Sequence, residues 1–138
     1  MGRISDTYAD NLLDMAFSKD TNDFPATLHI GLSTTTPSNT GTNVTEPAGN
    51  SYARVAVTNN VSNWPAAAAR SKSNGTDIVF PTATGSWGTI THFAIYDSAV
   101  GGASNFIAWG QLTVPVSVIN GATVTFVTAS LVINAPGT

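Results

Sequence analysis

The chain contains no cysteine, which excludes a disulfide framework, a thiolate zinc site and a cysteine nucleophile. It is also short of charge. Asp, Glu, Lys and Arg make up 9% of 138 residues, against about 25% in an ordinary soluble domain, so Thr, Ser, Asn and Gly carry most of the polarity. The five basic residues are scattered and the net charge is −3, which leaves no cluster able to displace counterions from phosphates and excludes a nucleic-acid partner. No run approaches the ~20 apolar residues of a membrane span. Asp6, Asp10 and Asp14 interrupt the N-terminus where a secretory signal would be continuous. The expectation is a soluble protein made in a cytosol, with no membrane partner.

Catalytic inventory is thin as well. Five of the eight acidic residues lie at or before Asp23. Beyond that point the carboxylates and imidazoles are Glu46, Asp77, Asp97, His29 and His92. No Gly-x-Ser-x-Gly elbow occurs, nothing marks two carboxylates as a facing pair, and a two-histidine metal site would need His29 and His92 on neighbouring strands. Residues 19–23 lack the turn glycine and the distal bidentate Glu of a calcium loop. A nucleophile, base and orienting group cannot all be filled, so the chain is expected not to be an enzyme and to use no metal or cofactor.

What is present is organised around residues 80–97. From Thr89 to Tyr96 the side chains alternate, with Ile90, His92, Ala94 and Tyr96 on one face and Thr91, Phe93 and Ile95 on the other. Apolar bulk on both faces predicts a strand inside a sandwich. Trp87, between Gly85 and Gly88, serves either as a core plug or as a ligand platform, and the plug is the simpler reading. His92 reads more simply as a buried neutral histidine than as a switch.

Residues 4–17 form the single convincing helix, with a stripe of Ile4, Tyr8, Leu12 and Met15 widened by Leu13, Ala16 and Phe17, an N-cap at Ser5 and a wet face carrying Asp10 and Asp14. This helix either covers an open end of the β core or docks on a neighbour. Thr27–Ser33 is predicted as a strand with Leu28, Ile30 and Leu32 inward and His29 outward. Residues 34–51 are rich in turn formers and longer than a compact domain ordinarily tolerates without a function, so an ordered loop here is expected to touch another chain. Further strands are expected at 52–58, 76–80, 106–113, 116–119, 122–129 and 131–133. Asn74-Gly75 and Asn120-Gly121 mark tight turns, and Pro115 forces an edge or a bulge.

The fold class is therefore mainly β: an antiparallel β-sandwich of about seven to nine strands with one N-terminal helix. Residues 1–23 are expected as a helical arm and linker, and residues 24–138 as the sandwich domain. The candidate protein-interface residues are Tyr8, Leu12, Glu46, Trp87 and His92.

The helix ending in Leu-Leu-Asp-Met, the segment Ala-Thr-Leu-His-Ile-Gly-Leu-Ser-Thr with its Thr/Pro-rich loop, Thr-Glu-Pro-Ala-Gly-Asn-Ser-Tyr-Ala-Arg-Val-Ala-Val, the whole of 80–97 and the closing Gly-rich hairpin resemble a group of small tailed-bacteriophage virion proteins. These are labelled tail-fibre or minor tail proteins, and capsid decoration (cement) proteins are similar in look. The resemblance implies a structural virion component, made in the host bacterial cytoplasm, with no active-site residue to carry over. The absence of a long shaft favours a decoration protein that bridges subunits of the major capsid protein and associates with copies of itself as a homotrimer. The alternative is a tail-fibre or minor tail protein that binds host glycan through an exposed Trp64, Trp87 or Trp109. If the arm is the anchor, removing residues 1 to 22 should weaken attachment and leave the sandwich folded.

Overall fold

The computed structural model describes residues 2–17 and 24–135. Strand β1 (Gly2–Ile4) leads into helix α1 (Asp6–Phe17), followed by β2 (Thr27–Ser33), β3 (Val55–Thr58), β4 (Ser71–Ser73), β5 (Ile78–Val79), β6 (Gly88–Tyr96), β7 (Phe106–Val118), β8 (Thr125–Phe126) and β9 (Val132–Asn134). Seven of them make one sheet in the order β3-β2-β6-β7-β1-β9-β4, and β5 pairs with β8 in a small second sheet. Every pairing is antiparallel except β1 with β9, which is parallel. The mainly β sandwich expected from the alternation is present, as a mixed sheet.

The helix begins at Asp6, two residues later than its stripe suggested, because Gly2–Ile4 pair with Ala108–Gly110 on one side and with Ile133 and Asn134 on the other. Ser5 then caps it: Tyr8 N–H donates to Ser5 Oγ at 3.5 Å, and Ala9 N–H to Ser5 O at 3.0 Å. The main sheet thus takes in residues from both sides of the division expected at residue 23.

β6 lies inside the sheet between β2 and β7, and it is buried from His92 through Tyr96. Its inner face, with Ile30 and Leu32 of β2, Val57 of β3 and Ala108 and Val118 of β7, presents Phe93 and Ile95 to the second layer, which supplies Ile78, Phe80, Ala83, Trp87, Phe126 and Leu131. Gly110 makes room for this packing, since a Cβ there would stand 2.5 Å from Phe93 Cζ. Asn74 ties the second layer together. Its side chain is buried, Oδ1 accepts from Leu131 N–H at 2.9 Å, and Nδ2 reaches the carbonyls of Thr76 (2.8 Å), Phe126 (3.3 Å) and Val127 (3.0 Å).

β7 is long but not regular. Ile90 pairs with Val116 and His92 with Gln111, so Leu112, Thr113, Val114 and Pro115 all stand opposite Thr91. Pro115, which has no N–H, sits in that excursion rather than in a ladder.

Residues 34–51 contain no helix or strand, yet they are tied down. Thr34 N–H donates to Thr45 O at 3.0 Å, Thr35 Oγ1 to Asn43 O at 2.7 Å, and Asn43 Nδ2 to Thr36 O at 2.8 Å. The segment lies on the outer face of the main sheet, where Val44 packs with Ala94, Tyr96, Phe106 and Trp109. The expectation of a contact with another chain therefore meets a loop that covers its own sheet.

Candidate functional site

Helix α1 crosses the open end of the inner face. It has no buried residue, because only Tyr8 and Leu12 turn toward the sheet, where they line an apolar groove of about 420 Å³ with Ile4, Leu28, Ile95 and Trp64. Phe24 closes one side, its ring 5.8 Å from that of Tyr8. Burial beside this ring, with Asp97 as the lesser cause, raises the Tyr8 phenol above its ordinary value. Trp64 is buried in the wall, and its Nε1–H has no partner among the described residues. Away from the groove the helix shows water a second apolar row: Leu13 is 55% exposed and Phe17 86%. An amphipathic helix would turn such residues inward. This one carries apolar side chains on two sides and buries neither.

The outer face is organised differently. Glu46, from the 34–51 loop, accepts from Arg54 Nε at 3.0 Å and Nη2 at 2.6 Å, and from Tyr52 Oη at 2.6 Å. Arg54 also donates to the carbonyls of Ser98 (2.9 Å) and Gly101 (2.7 Å), and its Cζ lies 3.4 Å from the Tyr96 ring centroid. Tyr52 Oη in turn accepts from Leu32 N–H at 2.8 Å. The knot sits directly on Gly31, where a Cβ would stand 2.6 Å from Glu46 Oε1. Burial, reinforced by the Glu46 carboxylate, pushes the Tyr52 phenol far above its usual range and that of Tyr96 up to about 12.

Of the five candidate interface residues, Tyr8 and Leu12 stand together at the groove. The other three face into this chain. Glu46 is the centre of the knot. Trp87 is the core plug, its Nε1–H donating to Asn50 O at 2.9 Å and its ring 5.3 Å from that of Tyr52. His92 is buried beside Trp109, with Nδ1 2.7 Å from Thr91 Oγ1, and burial holds its imidazole below the ordinary value. Among the three tryptophans only Trp109 keeps partial exposure. Its Nε1–H donates to Asn39 Oδ1 at 3.1 Å, and Arg3 lies over the ring at 5.8 Å. Leu13 and Phe17 belong to the apolar stripe read from the sequence but were not among the interface candidates. They widened the helical stripe, and no pattern separates a wide buried stripe from one left open.

The family model of the podophage GP4 fiber I protein gp80 matches residues 3–134. This chain belongs to that family. It is accordingly a bacteriophage structural protein of a fibre family, and the match spans the sheet, the second layer and α1 together. No curated protein matches the sequence. The fibre family suggests a virion component. Among the described residues no helix is long and apolar enough to cross a membrane.

Proposed function

We propose that this fibre-family protein is a non-enzymatic subunit of the phage fibre apparatus, held in the particle by protein–protein contacts in which α1 is the anchoring element. The exposed apolar row of α1, Leu13 and Phe17 beside the half-open groove at Tyr8 and Leu12, carries the reading. A helix with no fully buried residue in its own chain gains further stability by packing elsewhere. The low charge of the surface supports such a role, since few ions need desolvation when chains meet.

Decoration of the capsid, bridging the major capsid protein with copies of this chain in a trimer, is the second reading. One observation favours it: the described residues form one compact sandwich with no shaft. Glycan binding is the weaker tail-fibre variant, because Trp64 and Trp87 are buried and Trp109 has its N–H and one face engaged.

The test is incorporation. Particles assembled with a Leu13→Lys/Phe17→Lys variant should lack the protein while the isolated variant melts like the wild type. Normal incorporation of that variant would sink the anchoring role of α1, and the position of the wild-type chain on the particle decides between fibre and capsid.

A further inference from the structure

We infer that the groove beneath α1 is the seat for α1 of a second copy of this chain, which enters with Leu13 and Phe17 and sets Asp10 and Asp14 against Arg70 and Lys72. The inference rests on the anchoring role of α1 proposed above and names the partner that the anchor takes. Asp10, Leu13, Asp14 and Phe17 recur at i, i+3, i+4 and i+7, so they form a single face of α1, opposite to Tyr8 and Leu12. All four are exposed. This is the spacing by which a helix lies in a groove, and the stripe it offers is apolar and acidic at once.

The groove has the matching character. Its walls are apolar, Leu28, Trp64, Ile95 and Ile133 among them, and its lining also takes in Arg70 and Lys72. In a chain with five basic residues, two at one groove are a concentration, since Arg54 is committed to the knot and Arg3 lies over Trp109. Arg70 is exposed and Lys72 half-buried, and Lys72 has no ion pair among the described residues. Asp97 stands near enough to Tyr8 to act on its phenol. That end of the groove is therefore acidic, and an incoming carboxylate is directed to the Arg70–Lys72 end.

Charge selects the occupant. An uncharged segment would desolvate Lys72 without giving it a counter-ion, and a basic one would be repelled. An acidic helix with an apolar row meets both demands, and this chain carries one. Glu46 is held by Arg54, Asp77 by Thr128 and Asp97 by Asn105, whereas the other described carboxylates, Asp6, Asp10 and Asp14, all belong to α1. The same helix shows Leu13 and Phe17 to water. One copy thus presents both halves of the contact, and each half is completed by a neighbour. Because the halves differ, the contact runs head to tail, the kind that closes rings or continues as an open chain.

The experiment is sedimentation velocity on the full chain over a range of concentrations, with native mass spectrometry of mixtures. The helix variant is Leu13→Lys/Phe17→Lys and the groove variant is Arg70→Glu/Lys72→Glu. The wild type should associate, and each variant alone should need about tenfold more protein to do so. Mixed in equal amounts, the two should form a one-to-one pair, because the intact groove of the first meets the intact helix of the second. Asp10→Lys/Asp14→Lys alters the same charge match from exposed positions, guards against an unfolded groove variant, and should weaken association by about tenfold as well. A wild type that stays monomeric up to about 100 μM, any of the three variants associating unchanged, or folded helix and groove variants that form no mixed pair would each overturn the inference. Failure of the anchoring role looks different. A monomeric wild type whose Leu13→Lys/Phe17→Lys variant still stays out of particles keeps the anchor and loses only the second copy as its partner.

Discussion

The two faces of the main sheet are closed in opposite ways. On the outer face an irregular, polar segment folds down and satisfies itself: Glu46, Arg54 and Tyr52 form a half-buried ion-pair knot, and Thr34, Thr35, Asn43 and Thr45 bond one another. On the inner face aromatic packing closes one end through Phe80, Trp87 and Phe126, whereas α1 at the other end leaves a groove and shows Leu13 and Phe17 to water. The polar face is complete within one chain; the apolar face is not. Under the proposed anchoring role, the hydrogen-bonded surface is the structural one and the apolar surface is the one offered to partners.

Breaking the outer face should cost the most. Arg54→Ala leaves the half-buried Glu46 without its counter-ion and removes the bonds to Ser98 O and Gly101 O; loss of a fully buried pair's partner costs about 3 to 5 kcal/mol, and the lower end, about 3, is expected here. Chemical denaturation should show that loss, with the 34–51 loop losing amide protection first. Asn74→Ala removes the bonds to Leu131 N–H and to three carbonyls of the second layer and should cost about 3 kcal/mol, a buried unsatisfied group being worth roughly 1 to 3. A cost below about 1 kcal/mol would show that water replaces the amide.

Alkaline titration sharpens the comparison further. Tyr96 has its pKa raised to about 12, so the folded state holds the neutral phenol more firmly than the unfolded state does. The associated stability is complete below about pH 10 and is lost as pH rises through about 12, roughly 3 kcal/mol at 1.4 kcal/mol per unit. Since Tyr8 and Tyr52 are raised as well, tyrosinate absorbance should climb together with unfolding. A phenol titrating at its ordinary value in the folded protein would contradict the burial described. The smallest effect belongs to the open face: Leu13→Lys/Phe17→Lys should change stability by less than about 0.5 kcal/mol, measured by thermal melting.

Much of the closed architecture is legible in the sequence. The doubly apolar alternation of 89–96 marks β6, the single-faced alternation of Thr27–Ser33 marks β2, and Ser5 announces the helix. β1 is not legible, because Gly-Arg-Ile has no pattern of its own and becomes a strand only by pairing with β7 and β9. That pairing also changes the expected truncation result: removing residues 1 to 22 takes a strand out of the middle of the sheet, so the sandwich should be destabilised rather than left intact. The outer knot is hidden because Glu46 and Arg54 come together only when the loop folds over Gly31. Asn74 reads as an ordinary turn residue until its four partners are in place. At the candidate site, the helical period finds Tyr8 and Leu12, whereas Glu46, Trp87 and His92 were singled out by residue type, which says nothing about the direction a side chain faces.

The division between a self-sufficient outer face and an unfinished inner end is tested most directly by the density of this chain on the intact phage particle. The account predicts that Leu13 and Phe17 of α1 lie buried against a neighbouring protein while the 34–51 loop keeps its place on the sheet. Particles in which α1 of every copy faces solvent would contradict it.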